Sequence, residues 1–576
     1  MLHDANSLAA GDPGPVHLNP LEIELLWRRL VTTVDEAATT LVRTSFSSVI
    51  RDFHDYACAV FDPSGRMLAQ STHSTPGLLG ILPFTIPNFL GNAGFRTARP
   101  GDVFITNDPW LASGHLIDVT VAMPVFRRAR CVAYVMVVVH HLNMGGRLAT
   151  LESRDVYEEG LKIPILRLYR EGEPEQTVFE FIRANVREPD KVIGDIRAQA
   201  AASHAAATRL AAIMDDAELD GLEALAGEII RRSEASMRRA IRLLPQGEYQ
   251  SEMTLTGVAG YNLPVRLALR VAIRDGAIGL DYAGTAGQIP RAVNVTLNMT
   301  RSYSVYPLKC LLDPEVPNNE GCMRPIAIDA PEGSVLNARF PAATWGRTML
   351  AHMLPELVMR CLAQAVPERL IAGSGSTPLW YGNFTGRHGD GRSFYAVVTF
   401  NGGLGARGSR DGISCLSYPA NVASIALEVI EGDAPILFER KSFAADSAGA
   451  GRQRGGFGQS VVIRVPGDAD LDGPILAGVR GGRFGVPIYG LEGGAEVAEP
   501  LAEVNGHRIV LGTQLELRPG DLLVLTVPGG GGFGDPRERR VQSVLDDVRD
   551  GLVSTEAAER LYGVKVNAAQ IGASFG

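Results

Sequence analysis

Two strand-length apolar runs with a short basic connection constrain this chain more than any other feature. Residues 118–126 carry Val119, Thr120, Val121, Met123, Val125 and Phe126, and 131-CVAYVMVVVH-140 is continuously apolar. β-Branched residues at this length predict strands. Only Arg127-Arg128-Ala129-Arg130 separates them, which predicts a hairpin. A loop of two or four residues sets Asp118 opposite Val139, whereas a one-residue bulge sets it opposite His140. Either register brings residues 118 and 140 to the same open end, but the face each side chain takes turns on that one residue.

This end gathers metal-binding chemistry. The segments 114-GHLIDVTVAMPVF-126 and 136-MVVVHHLNMGGR-147 hold His115, Asp118, His140 and His141. Imidazole and carboxylate together suit one divalent zinc, manganese or iron ion better than a thiolate metal. A lone strand-end histidine is commonly a hydrogen-bonded core group, but adjacent His140 and His141 opposite a second His/Asp pair favour a metal site. Asp55, which opens an apolar strand in 51-RDFHDYACAVFDPSGRMLAQ-70, offers a further carboxylate. Alone, it reads as an exposed strand-start aspartate.

At 576 residues the chain exceeds the roughly 250–300 residues at which single cores stop growing, so it forms several domains or one interlocked assembly of layers. The expected fold class is mixed α+β: a large multi-layer assembly with antiparallel β-rich regions and long helices. Residues 1–19 read as a flexible N-terminus and 20–186 as the metal-bearing α+β region, opening on one amphipathic helix over 20–48. Residues 187–245 form a helical segment with helices over 188–216 and 219–245. Residues 246–440 combine a β meander with a helix over 345–367. Residues 441–536 are β-rich and glycine-containing, and 537–576 form a helical tail, with Ser554 or Thr555 as a helix cap.

Composition excludes several functions. Hydrophobic residues are 45% and charged residues 21%, as in globular proteins. The formal charge of -9 argues against phosphate-backbone binding, so no nucleic-acid partner is expected. No signal-peptide pattern opens the chain and no apolar stretch reaches about 18 residues, so no membrane association and a cytoplasmic location are expected. The six cysteines lack C-x-x-C spacing and read as reduced thiols. Gly403-x-Gly405-x-x-Gly408 is followed by no helix, which removes the dinucleotide-binding context, and there is no P-loop. The run Gly529-Gly530-Gly531-Gly532 calls for flexible or positive-φ backbone, in a tight crossover or a ligand-approach loop.

Several segments together resemble one family. The stretches 105-ITNDPWLASGHLIDVTVAMPVF-126, 140-HHLNMGGR-147, 294-NVTLNMTRSYSVYPLKCLL-312, 316-VPNNEGCMRPI-326, 445-ADSAGAGRQRGGFG-458 and 528-PGGGGFGDP-536 follow one another as in the hydantoinase B/oxoprolinase B subunits. That family includes the B half of 5-oxoprolinase, N-methylhydantoinase B, the caprolactamase B subunit and the metal-bearing subunit of acetone carboxylase. The resemblance implies metal ligands at Asp55, His115, Asp118 and His140. His141 matches the second histidine of the family's paired motif, not a regular ligand, and is the candidate catalytic residue. Where many members read His-His-Ala-Asp, this chain has Leu142 and Asn143, which bears on the substrate side of the site.

The resemblance further implies an ATP-binding hydantoinase A-type partner in a hetero-oligomer. That partner phosphorylates the carbonyl oxygen of a cyclic amide, and the metal here activates the attacking water. The alternative is the metal-bearing subunit of an ATP-dependent ketone carboxylase, of acetone or acetophenone carboxylase type. A third reading makes the His/Asp cluster structural in a non-enzymatic subunit.

Overall fold

The computed structural model describes residues 18–147, 150–497 and 500–567. Residues 1–17 of the expected flexible N-terminus and 568–576 of the expected tail lie outside the described residues. The first helix spans Pro20–Thr44, with the Asn19 side chain accepting from the N–H groups of Leu21 and Glu22 while Glu22 accepts from the Asn19 N–H. It stops short of the expected residue 48 because Ser45 turns extended, and a short helix, Ser48–Arg51, follows.

Its buried stripe of Leu26, Leu30, Val34 and Leu41 packs on a seven-stranded sheet. This sheet comprises β1 (Tyr56–Phe61), β2 (Met67–Gln70), β3 (Val103–Thr106), β4 (Asp118–Arg127), β5 (Arg130–His140), β6 (Leu166–Arg170) and β7 (Glu173–Pro174). Their order is β2-β1-β5-β4-β3-β6-β7, every neighbour antiparallel. Helices Pro20–Thr44 and Pro189–Asp216 cover one face, and Pro76–Gly91 with the middle of the chain covers the other. Burial on both faces explains why β5 reads as an unbroken apolar run.

The hairpin resolves the register. Arg128 and Ala129 form a two-residue turn at φ 48 and 63, and a bulge between Val125 and Phe126 sets Asp118 opposite His140. On the other side of β5, Tyr56 pairs with Val139, and the His140 N–H donates to the Asp55 carbonyl at 3.0 Å. Asp55, His140 and Asp118 therefore stand side by side across three strand ends.

The expected meander is β8 (Gly247–Leu255), β9 (Val265–Arg274) and β10 (Ala277–Asp281), with β11 (Ile326–Asp329) added parallel to β10. The helix expected over 345–367 divides at His352 into Thr348–Ala351 and Met353–Leu362. Pro355 has no N–H with which to close a bond to Ala351.

The remaining strands are β12 (Trp380–Arg387), β13 (Ser393–Phe400), β14 (Leu437–Phe443), β15 (Gln459–Arg464), β16 (Ile475–Arg480), β17 (Leu501–Val504), β18 (His507–Arg508), β19 (Gln514–Leu517) and β20 (Leu522–Val527). They form two sheets, β13-β12-β16-β19 and β14-β15-β20-β17-β18. Strands from before and after residue 440 share the sheet β13-β12-β16-β19, and β14 itself runs across residue 440, so the segmentation expected there cuts through sheets instead of between cores. One core joins Val49, Phe53 and Leu142 from the first sheet's rim to Trp380, Phe400 and Leu525. The assembly is interlocked.

The glycine run corrects one expectation. Among Gly529 to Gly532 no φ is positive, and the cause of glycine there is close backbone packing. Gly530 donates to the Gly456 carbonyl and Gly531 to that of Gly373. Gly403 likewise meets backbone: an added Cβ would sit 1.8 Å from the Gly456 carbonyl oxygen. The tail forms helix Val541–Arg549 and a second helical stretch from Thr555, capped by the Ser554 hydroxyl accepting from the Ala557 N–H at 3.1 Å. Among the described residues no helix is long and apolar enough to cross a membrane.

This packing sets a stability test. Gly403→Ala should lower unfolding free energy in urea by about 1–3 kcal/mol or more through overpacking. Gly467→Ala, where a Cβ meets nothing within 4 Å, should stay within about 0.5 kcal/mol of wild type.

Candidate metal centre

Strand ends and one loop deliver the site. His115 lies in the loop entering β4, held there by Gly114 at φ 80, where a side chain would meet Arg347 and Thr296 at 3.0 Å. Asp118 opens β4 and His140 closes β5. Asp118 Oδ1 lies 2.8 Å from both His115 Nε2 and His140 Nδ1, while Arg347 Nη2 donates to Asp118 Oδ2 at 2.6 Å. His115, Asp118 and His140 present donor atoms all within 4.8 Å of one another. Asp55 lines the same cavity, 3.9 Å from His140 Nδ1, with Thr75 donating to it at 3.2 Å.

Hydrogen bonds fix the histidine tautomers. His115 Nδ1 faces the Trp345 carbonyl at 3.0 Å and so carries the proton, which leaves Nε2 as a lone-pair donor aimed at Asp118. That Nε2 is buried and without a hydrogen-bond partner of proper geometry, the signature of a nitrogen shaped for an ion. Glu159 holds the Trp345 segment by accepting from the backbone N–H groups of Thr344 and Trp345, both at 2.8 Å. The chain of contacts runs from a buried carboxylate through backbone to the His115 imidazole.

Electrostatics sort the groups. Burial opposes ionisation of Asp118, but its contacts with His115, His140 and Arg347 outweigh it and hold its carboxyl well below the usual range, the lasting charge among them being that of Arg347. Burial and then Arg347 push His115 down to about 4, so its imidazole is neutral and free to bind a metal. Asp55 is raised by burial against the pull of His140. Burial lifts Glu159 to about 7.

Sequence reasoning missed the cavity's other side. Tyr303, Arg347, His352, Tyr381 and Arg480 line it opposite the strand ends. The Leu379 N–H donates to His352 Nδ1 at 3.2 Å, so the neutral ring carries its proton on Nε2, 2.8 Å from the Tyr303 hydroxyl. Tyr303 thus accepts from His352, and its own proton is free for the cavity. Burial pushes His352 down to about 3. The available signal was Arg347 and His352, with Glu356, standing inside a largely apolar run, 345-WGRTMLAHMLPELV-358, where charged or polar residues need partners. The cavity traced by water centres is about 40 Å³, room for an ion and a few waters.

His141 is not brought to this cavity. Alternation along the strand turns it to the opposite face, where Nε2 meets Gln199 Oε1 at 3.1 Å and Gln199 Nε2 in turn donates to the Val119 and Val137 carbonyls. The departure at residues 142–143 also falls outside the cavity: Leu142 is core, and Asn143 Oδ1 accepts from the N–H groups of Gly145 and Arg187.

The Hydantoinase B/oxoprolinase family model matches residues 19–536. The chain belongs to that family. It is 31% identical to the putative B subunit of a D-/L-hydantoinase from Pseudomonas sp. (strain NS671), with 95% of each chain covered. The crystal structure of the ATP-dependent caprolactamase from Pseudomonas jessenii superposes with a TM-score of 0.87 at 27% identity, over 96% of this chain and 97% of that one. An acetone carboxylase structure shares the fold, with a TM-score of 0.82 at 19% identity over 95% of this chain and 80% of that one.

The facing of the two adjacent histidines is directly testable. His140→Ala should strip a bound divalent ion while His141→Ala retains it, at a stability cost of about 1–3 kcal/mol for the unpaired Gln199; elemental analysis that reverses this order refutes the facing. Glu159 has a raised pKa when folded, so its contribution is full below its unfolded value and is lost as pH rises through about 7. Glu159→Gln should therefore flatten the pH dependence of unfolding free energy between about pH 4.5 and 7, by roughly 3 kcal/mol.

Proposed function

We propose that this chain is the B subunit of an ATP-dependent cyclic-amide hydrolase of hydantoinase, oxoprolinase or lactamase type. Its site would take one zinc, manganese or iron ion on His115, Asp118 and His140, with Asp55 completing the set. The observation that carries the reading is the convergence of the buried His115 Nε2 and of His140 on an ionised Asp118, inside a chain of this family. A divalent ion held there supplies Lewis acidity and lowers the pKa of bound water from 15.7 to roughly 7.

The chain's own groups do the rest. Arg347 keeps Asp118 ionised, Glu159 and the Trp345 carbonyl keep His115 in the ligating tautomer, and Tyr303 offers a hydroxyl proton to a developing oxyanion. His141, packed on Gln199, acts as a positioning residue that fixes where β5 ends. An unstrained amide still has a poor leaving group, and a hydantoinase A-type subunit that binds ATP would activate it by phosphorylating the carbonyl oxygen.

The test is reconstitution with the A-type partner and assay of ring opening of hydantoins, oxoproline and lactams, with and without ATP. A second arm follows bicarbonate-dependent loss of ketones. Ring opening that needs ATP, the partner and about one divalent ion per chain is the expected result. Losing a group bonded to a ligand costs about 10–100-fold in metal affinity, so Asp118→Ala should cost at least that in metal binding and silence the complex. Ring opening by this chain alone without ATP would make it a self-sufficient metallo-amidase, and carboxylation would make it a ketone carboxylase subunit.

A further inference from the structure

The wall of the cavity beyond the strand ends holds guanidinium donors that the protein's own groups leave largely unused. Arg480, at the end of β16, is 6% exposed and lies over the rings of both Trp345 and Tyr381, its guanidinium carbon 4.2 and 4.5 Å from their centroids. Among the described residues its side chain makes no hydrogen bond and has no carboxylate within ion-pair distance, and its Nε is buried without a partner. Arg347 is 4% exposed and spends only Nη2 on Asp118; its Nε and Nη1 are buried and unpaired. The two guanidinium groups repel each other, and burial already disfavours the charge on Arg480. Guanidinium nonetheless stays protonated, and a buried unpaired ion costs several kcal/mol.

Two aromatic rings hold the Arg480 guanidinium in place but leave its N–H donors unused. That arrangement presents a fork to a ligand. The charge inventory says which kind. Arg347, Arg480 and a divalent ion against Asp55 and Asp118 leave a net charge of two positive units, which a dianion neutralises and a single carboxylate does not.

We infer that Arg480 and Arg347 form a phosphoryl-binding site facing the metal ligands, which receives the phosphate ester of the activated substrate. This inference rests on the proposed function above and adds to it the group by which this chain holds the intermediate made by its partner. Two guanidinium groups and the Tyr303 hydroxyl gather the phosphoryl oxygens and place the substituted carbon beside the ligand set. Once water has added to that carbon, the C–N bond breaks with its electron pair leaving on the ring nitrogen, which takes up a proton, and the same contacts hold the phosphate as a second water hydrolyses the resulting acyl phosphate, its C–O bond breaking with the electron pair going to the phosphate oxygen.

The test uses the metal-loaded full chain and inorganic phosphate, with acetate as the monoanionic probe, read by calorimetric titration and thermal unfolding. Wild type should bind phosphate in preference to acetate. Arg480→Gln should weaken phosphate binding by about tenfold or more, the weight of a charge-assisted hydrogen bond, at unchanged metal content. Arg480→Lys should restore part of it. In the reconstituted complex Arg480→Gln should also raise the ATP consumed per ring opened, because the intermediate escapes. Equal phosphate affinity in Arg480→Gln and wild type overturns the proposal. So does acetate binding as tightly as phosphate to wild type, a comparison that needs no variant to fold. Ring opening that proves independent of ATP removes the functional reading and leaves phosphate binding as a separate result, so the two failures are told apart.

Discussion

Asp118 accepts from or faces three groups at once: two imidazole nitrogens at 2.8 Å on one oxygen and the Arg347 guanidinium at 2.6 Å on the other. It is buried, and a buried carboxylate stays ionised only while such partners stay in place. Breaking one side of a buried ionic set costs about 3–5 kcal/mol, so the surrounding architecture has to hold every partner still. His115 comes from a loop, His140 from the neighbouring strand, and Arg347 from the segment that opens the Thr348–Ala351 helix. The site therefore closes only when the first sheet and the later half of the chain have docked.

That requirement accounts for the interlocked core. Val49, Phe53 and Leu142 on the rim of the first sheet belong to the same apolar cluster as Trp380 and Phe400 of the third, and Leu151 packs with residues of the central region. An assembly with separable domains would let Arg347 drift from Asp118 and leave both charges unpaired in a dry interior. The glycine-rich segments serve the same rigidity by a different route. At Gly403, Gly455 and Gly530 the backbones lie so close that a Cβ would overlap a neighbouring carbonyl. Chains that exclude side chains between them bond through backbone groups alone, and the cavity's far wall is anchored to strands adjoining that bundle.

The half of the site built from local sequence was legible. A hairpin with one bulge could be written down from residues 118–140, and the bulge between Val125 and Phe126 proved to be the register that aligns Asp118 with His140. Period two then forces His141 to the opposite face, so its neighbour's role and its own separate once the register is known. The long helices were legible too, since Pro189–Asp216 agrees with the helix expected over 188–216. The other half was not. Tyr303, Arg347, Tyr381 and Arg480 come from four distant segments whose local patterns signal helix or strand and carry no mark of convergence. The break at His352 was masked by apolar spacing that continues across it, although Pro355, interior to the helix expected over 345–367, was the signal that marks it. At Gly529–Gly532 the composition was right and the cause was wrong: crowding from neighbouring backbones, with no positive φ.

The cavity lining also explains why the family fold leaves the substrate open. Its charged and ring-bearing polar groups are two carboxylates, three imidazoles, two guanidinium groups and two phenols, chemistry suited to charge at a reacting centre. What remains to contact the body of a substrate is Leu78, Ala420, Val422 and the small residue Gly77, with the hydroxyls of Thr75 and Thr348. Apolar contacts of this kind discriminate by about 1–3 kcal/mol per methylene, whereas unpaired buried polar groups reject a ligand far more strongly. On the proposed function, the charged wall would select for the type of activated centre, and a few apolar residues of modest individual weight, from the start of helix Pro76–Gly91 and from the segment 420–422, would select the ring attached to it. Substitutions there would leave Asp118 and its partners in place, so the ring and the reacting group are addressed by separate parts of the lining.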